Sequence, residues 1–239
     1  MYMHLASVDY MAANGKSIIH RANPHSKILV ALLILIAVIV ADSPIKLGLI
    51  LLYTIVLIAI SSPNIKEIGH LALYPVFFSL VFALIKIQQS LVEAIAVILR
   101  ALAAAMSMLF LITTTPYVDI FSVLSILLPG VIVDIFIFTY RSLFILLDKL
   151  SSLFRSVKIR GGYHPIRIFK NIKNMAGMLG IMVIHSFDMS ERMYKIFKLR
   201  GYKGRLPLTR ENRQIRAIDI ALVVMSVAIL AGVIIKWNN

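Results

Sequence analysis

The chain of 239 residues contains no cysteine. Disulfides, thiolate metal sites and cysteine nucleophiles are therefore excluded. Acidic residues are scarce: 11 Asp and Glu stand against 25 Lys and Arg, and charged side chains make up only 15% of the chain. A soluble core of this size needs polar surface to cover it, and too little is present. An ATPase motif is lacking too. Gly15-Lys16-Ser17 looks like the end of a phosphate-binding loop, but the glycine required at its start falls on Tyr10, with no strand before it. The six histidines (His4, His20, His25, His70, His164 and His185) show no HExxH pair or tight ligand spacing, so no metal site is expected. Asp119, Asp134 and Asp148 have no catalytic spacing and no nucleophile–base pair stands out, so no catalytic residues are expected either. The first 27 residues lack a continuous apolar stretch, and no cleavable signal peptide is expected there.

What is present is hydrophobic. Apolar residues make up 60% of the chain and the mean hydropathy is +0.90, against about 45–50% apolar in a soluble domain. Residues 28–41 carry no polar side chain, and 47–60, 71–85, 94–112 and 217–235 are nearly as apolar. A bilayer core of about 30 Å takes roughly 20 such residues as helix, fewer when the ends snorkel. The expected fold is an all-α integral membrane protein with about five transmembrane helices plus cytoplasmic amphipathic helices.

Along the chain, residues 1–26 read as a polar N-terminal segment and 27–116 as a region of four spans. The turns are Asp42-Ser43-Pro44, Ser61-Ser62-Pro63-Asn64 and Gln88-Gln89-Ser90. Residues 117–216 are a basic region and 217–239 hold the last span, closed by Lys236-Trp237. The region 141–216 carries 17 Lys and Arg against four acids. Beside membrane spans, such an excess indicates cytoplasmic placement rather than nucleic-acid binding. With the N-terminus inside, only Lys46, Lys86 and Lys236 fall outside. Residues 119–140 leave room for an extra pair of spans. Arg100 lies within an apolar stretch, where a lone charge costs several kcal/mol. It either snorkels to the outer interface or forms a pair, within the bundle or with another subunit.

Within the basic region, Leu143, Leu146, Leu147, Leu150, Leu153, Phe154 and Val157 follow the i, i+3, i+4, i+7 spacing of an amphipathic helix. Arg160 ends it and Gly161-Gly162 supply the C-cap. A second such helix is expected over 186–200, with Met189, Met193, Ile196 and Phe197 on one face and a Glu191–Lys195 pair on another. Between them 174–187 is apolar enough to touch the bilayer, and Arg205 to Arg216 form a basic linker. The two helices stop alike, at Ile159-Arg160-Gly161 and Leu199-Arg200-Gly201, each followed closely by a tyrosine, Tyr163 or Tyr202. An arginine at the end of an apolar-faced helix suits a groove with acidic walls, because guanidinium is always charged and bonds carboxylates in pairs.

On these residues the chain resembles the transmembrane coupling (T) component of energy-coupling factor (ECF) ABC importers, whose coupling helices end in two Ala-Arg-Gly-like motifs. Ile159 and Leu199 replace the alanine of that pattern. The stretches His4-Leu5-Ala6-Ser7-Val8-Asp9 and Ile19-His20-Arg21-Ala22-Asn23-Pro24-His25-Ser26-Lys27 resemble the cobalt/nickel branch. The resemblance implies a non-enzymatic subunit in a prokaryotic cell membrane, transmitting ATP-driven motion during cobalt or nickel uptake. It implies two ABC ATPase subunits docked on Ile159, Arg160, Gly161, Leu199, Arg200 and Gly201, and a membrane-embedded substrate-binding (S) subunit. Partners would hydrolyse ATP with Mg, no cofactor would be bound directly, and no nucleic acid is involved. The alternatives are a self-contained secondary transporter or channel, which needs ionisable groups or broken helices at mid-membrane, and a membrane enzyme.

Overall fold

The computed structural model describes residues 9–15, 17–61, 65–88, 90–164, 167–202, 204 and 215–235, with the side chains of 65–68 left aside. Several sequence readings lie outside these residues: His4 and the His4–Val8 stretch, Lys16, the Ser62–Asn64 turn, the basic linker up to Gln214, and Lys236-Trp237. The helices are α1 (Pro24–Val40), α2 (Pro44–Ser61), α3 (Ile65–Ile87), α4 (Leu91–Thr114), α5 (Tyr117–Leu124), α6 (Gly130–Ile159), α7 (Ile168–Leu199) and α8 (Ala217–Ile234). No strand occurs among the described residues. Two compact units emerge: residues 3–123 with 210–239, and 124–209.

The first unit is a helix bundle in which α1 packs on α8, α4 and α2, while α4 also packs on α2 and α3. Apolar periodicity explains the packing. Leu47, Ile50, Thr54, Leu57, Ile58 and Ser61 are buried along one face of α2, and Val30, Ala31, Ile34, Ala37 and Val38 are buried on α1. The outward faces are apolar as well: Leu49 and Leu52 on α2, Phe77, Phe78 and Phe82 on α3, and Val224 and Met225 on α8 are all exposed. An exterior this apolar suits lipid, and helices satisfy their own backbone bonds there.

Among the described residues, five helices are long and apolar enough to cross a membrane: Pro44–Ser61, Gly69–Ile87, Leu91–Thr114, Gly130–Ile159 and Ala217–Ile234. The chain is an all-α, multi-pass membrane protein. The number agrees with the sequence reading but the set differs. The expected first span, α1, is apolar with only 17 residues, whereas α6 qualifies by length. Residues 119–140 form no pair of spans. They hold the eight-residue α5 and the start of α6. The expected separate pieces 174–187 and 186–200 are one helix of 32 residues, α7. No proline lies between 168 and 199, and the interior Gly177 and Gly180 do not break the helix, since an interior glycine costs only about 1 kcal/mol.

The bundle's helix ends are tied by side chains from elsewhere. Asn23 caps α1, its Oδ1 accepting from His25 N at 3.1 Å, with Pro24 in the first turn. The buried Asp219 accepts from Asn23 N (2.7 Å) and Arg216 N (2.8 Å), joining the starts of α1 and α8. Lys27 is 1% exposed, and its Nζ donates to His20 O (3.1 Å) and to Thr114 O (2.8 Å) at the end of α4. Arg100 has an intra-bundle partner: its Nη2 donates to Ala41 O at 2.7 Å, beyond the end of α1. Lys46 Nζ donates to Val233 O at 2.7 Å, near the end of α8.

Gly15 and Ser17 serve this bundle. Any Cβ on Gly15 would collide with the His20 ring. His20 Nε2 donates to Thr113 O (3.1 Å), which leaves Nδ1 to accept from Ser17 Oγ at 2.6 Å. Burial holds the His20 imidazole below its ordinary pKa and Lys27 adds to this, while the bond to Thr113 opposes both.

Candidate docking site

In the second unit α6 and α7 lie antiparallel. The Phe138 and Phe197 rings are 4.6 Å apart and Ser142 Oγ reaches Met193 Sδ at 3.8 Å. Nearer the turn, Leu150 and Phe154 share a cleft with Met175, Met178 and Leu179. The apolar stripes form this seam: Leu146, Leu147, Leu150, Leu153 and Val157 of α6, and Met189, Met193 and Phe197 of α7, are half-buried. Leu143, Phe154 and Ile196 are exposed. The Glu191–Lys195 pair forms at 2.6 Å, but both side chains are exposed, so its contribution is small.

Antiparallel packing puts the two Arg-Gly ends at opposite ends of the hairpin. Gly162, beside the first end, is bonded by Asn174, and 26 residues of α7 separate Asn174 from Arg200. At 1.5 Å per residue that is about 40 Å.

Each end is finished by the same backbone device. Gly161 N donates to Lys158 O (3.2 Å) and Gly162 N to Val157 O (2.9 Å). Gly201 N donates to Lys198 O (3.1 Å) and Tyr202 N to Phe197 O (2.9 Å). These are the paired bonds of a Schellman cap, and Gly161 and Gly201 hold the left-handed conformation it needs, at φ 68° and 76°. The caps satisfy the last carbonyls without any help from the arginines. Arg160 and Arg200 are exposed, and among the described residues neither takes part in an ion pair. Ile159 and Leu199 beside them are 80% and 89% exposed. Each end therefore presents a large apolar side chain and a free guanidinium together, a pair able to bury area and grip a carboxylate.

The supports behind the two ends differ. Behind Arg200, Tyr202 Oη donates to Asp134 Oδ2 at 2.6 Å, and its ring packs against Phe138 and Phe197. Asp134 is 2% exposed. Accepting this bond, its carboxylate pushes the phenol above the ordinary tyrosine range. Behind Arg160, Tyr163 only packs on Phe154 (6.1 Å). The loop is held instead by Asn174 on Gly162 O and by Asn171, which bonds both the N (2.9 Å) and O (2.6 Å) of His164. Sequence reasoning missed Asp134, Asn171 and Asn174. Asp134 alone carried a signal, a carboxylate inside an apolar run. No group of three metal-ligating side chains occurs among the described residues.

Residues 15–211 match the protein family described as cobalt transport protein, CbiQ. The chain belongs to that family. Members of the cobalt transport family are transmembrane components of transporters, and the resemblance drawn above to the ECF transmembrane component is borne out. The energy-coupling factor transporter transmembrane protein EcfT of Lactococcus lactis subsp. cremoris is 24% identical over 256 residues, covering 94% of this chain and 95% of that protein. A putative fused cobalt transport protein CbiMQ of Methanocorpusculum labreanum is 28% identical over 147 residues, covering 61% of this chain. The uncharacterized protein MJ1089 of Methanocaldococcus jannaschii is 28% identical over 136 residues, 53% of this chain. The aligned parts span 24% and 50% of the last two relatives.

Proposed function

We propose that this chain is the coupling subunit of an ECF-type importer for cobalt or nickel. The α6/α7 hairpin receives the motion of two ABC ATPase subunits and passes it to a substrate-binding membrane subunit. The observation carrying this reading is the pair of Schellman-capped helix ends, each with a free arginine beside an exposed Ile or Leu, at opposite ends of one hairpin. A rigid bar with a grip at either end converts relative movement of two bodies into a tilt. ATP and Mg are handled by the ATPases, and the chain itself binds no cofactor directly.

In this reading the hairpin lies in the cytoplasm of a prokaryotic cell. The apolar start of α6 is long enough to span, but the charge on its neighbour argues otherwise. Contacts of Phe138 and Ser142 with Phe197 and Met193 bring Arg192, Lys195, Lys198 and Arg200 to the level of that apolar stretch. Four cations at bilayer depth would cost several kcal/mol each. The spans are then α1–α4 and α8. At 17 residues α1 reaches the lower end of the spanning range, and it packs among three of the others. The basic excess of 141–216 falls inside, as the positive-inside tendency favours.

The test is retention of ATPase subunits by wild type and by Arg160→Glu, Arg200→Glu and the double variant, each checked for membrane insertion. Wild type is expected to retain them, each single variant to retain less, and the double variant to lose them. Equal retention by all four would remove the site assignment. No retention by wild type would remove the coupling reading.

A further inference from the structure

A cleft of about 280 Å³ runs between α6 and α7 beside the Arg200 end. Arg141 of α6 and Arg192 and Arg200 of α7 line it, over a floor that includes Met189, Met193 and Phe197. Its one carboxylate, Asp188, forms no ion pair with any of the three arginines. Three arginines thus line one apolar trough with a single carboxylate, and no ion pair forms among them. Methionine-rich floors adapt to varied apolar side chains. The cleft near the other end is of a different kind: about 460 Å³, lined by Leu150, Ser151, Phe154, Met175, Met178 and Leu179, with no charged group.

We infer that the arginine-lined cleft is an extension of the Arg200 docking end and takes an acidic, apolar-faced segment of the ATPase partner. The inference rests on the coupling reading and adds Arg141 and Arg192 to the contacts. The occupant's chemistry follows from the cleft. Arg192 and Arg200 are eight residues apart on α7, about 12 Å along the axis, which two carboxylates two helical turns apart would match. Arg141 meets the same segment from α6, at the level of Met193, where Ser142 next to it contacts that residue. Apolar side chains between the acids fill the trough. The Arg160 end carries other exposed cations, Arg155 and Lys158 among them, but the cleft nearby is neutral.

The test isolates one end. The Arg160→Glu chain, in nanodiscs of neutral lipid, is titrated with the ABC ATPase subunits that co-purify with wild type, at low and high salt. The titration is repeated after adding Arg141→Gln and Arg192→Gln, and separately Arg141→Lys and Arg192→Lys. The glutamine pair is expected to weaken binding on the order of tenfold and flatten its salt dependence. The lysine pair keeps the charge and should restore most of both. Unchanged affinity and salt response in the glutamine pair overturn the inference while leaving Arg200 as a docking residue. A loss that appears only in nanodiscs containing anionic lipid also overturns it, since the cleft then holds a lipid headgroup. If Arg160→Glu/Arg200→Glu binds like wild type, the docking-site assignment fails and this inference with it; if wild type binds no ATPase, the coupling reading itself fails.

Discussion

The membrane bundle and the hairpin treat cations at helix ends in opposite ways. In the bundle, Lys27, Lys46 and Arg100 donate to backbone oxygens at or just beyond the ends of α4, α8 and α1. The side chains satisfy those oxygens, and the cation suits the negative end of the helix. In the hairpin, Gly161 and Gly201 close the last turns with backbone bonds alone. Arg160 and Arg200 stand at the same helical position as a capping cation but are not needed there, and their charge remains for a partner. A glycine one residue after an arginine thus leaves the guanidinium unspent at an end that the backbone alone has closed.

The comparison can be broken most sharply at Lys27. Lys27→Met leaves two buried carbonyls without that donor, at about 1–3 kcal/mol each, and should lower the thermal midpoint of the purified protein clearly. A midpoint unchanged from wild type would show the buried amine to be dispensable. A smaller effect is expected at Tyr202, where Tyr202→Phe removes a donor from buried Asp134. A loss of about 1–3 kcal/mol should appear as faster hydrogen exchange over residues 195–202. Tyr163→Phe, with no such bond, should leave the Arg160 end unchanged. If both variants behave alike, the two ends are not supported differently.

Gly201→Val tests the backbone device itself. A side chain at φ 76° costs about 1–2 kcal/mol and favours unwinding the last turn, so ATPase retention should fall even though Arg200 is intact. Retention at the wild-type level would mean that the cap does not orient the arginine. The mildest effect is expected from acid. The His20 value lies below that of an unfolded histidine, about 6.5. Its contribution is present above that value and is lost as pH falls through the folded-state value. Protection factors over residues 17–27, corrected for the intrinsic exchange rate, should fall below about pH 6.5 in wild type and hold with pH in His20→Gln. The hairpin ends should not respond. A wild-type profile as flat as the variant's would remove His20 from the tether.

Much of this was legible in residues. Apolar runs beyond a soluble chain's needs required a membrane bundle. Arg-Gly at the end of an amphipathic stripe required a capped helix stop, since few residues other than glycine enter the left-handed region cheaply. Asn23-Pro24 was an N-cap signal left unread. The length of α7 was misread because the apolar patch 174–187 suggested a boundary, yet a change of polarity without proline does not break a helix.

The chain's order of residues by itself determined the helices, their two Arg-Gly stops and the lopsided charge, because propensity, periodicity and capping act within a few residues. Only the tertiary structure decided where charges end up. It gave Arg100 the carbonyl of Ala41, sealed Lys27 inside the bundle, joined Tyr202 to Asp134, and set the two free arginines about 40 Å apart. The first three outcomes depend on contacts between residues 59 to 87 positions apart in the chain, and no local pattern encodes such a distance.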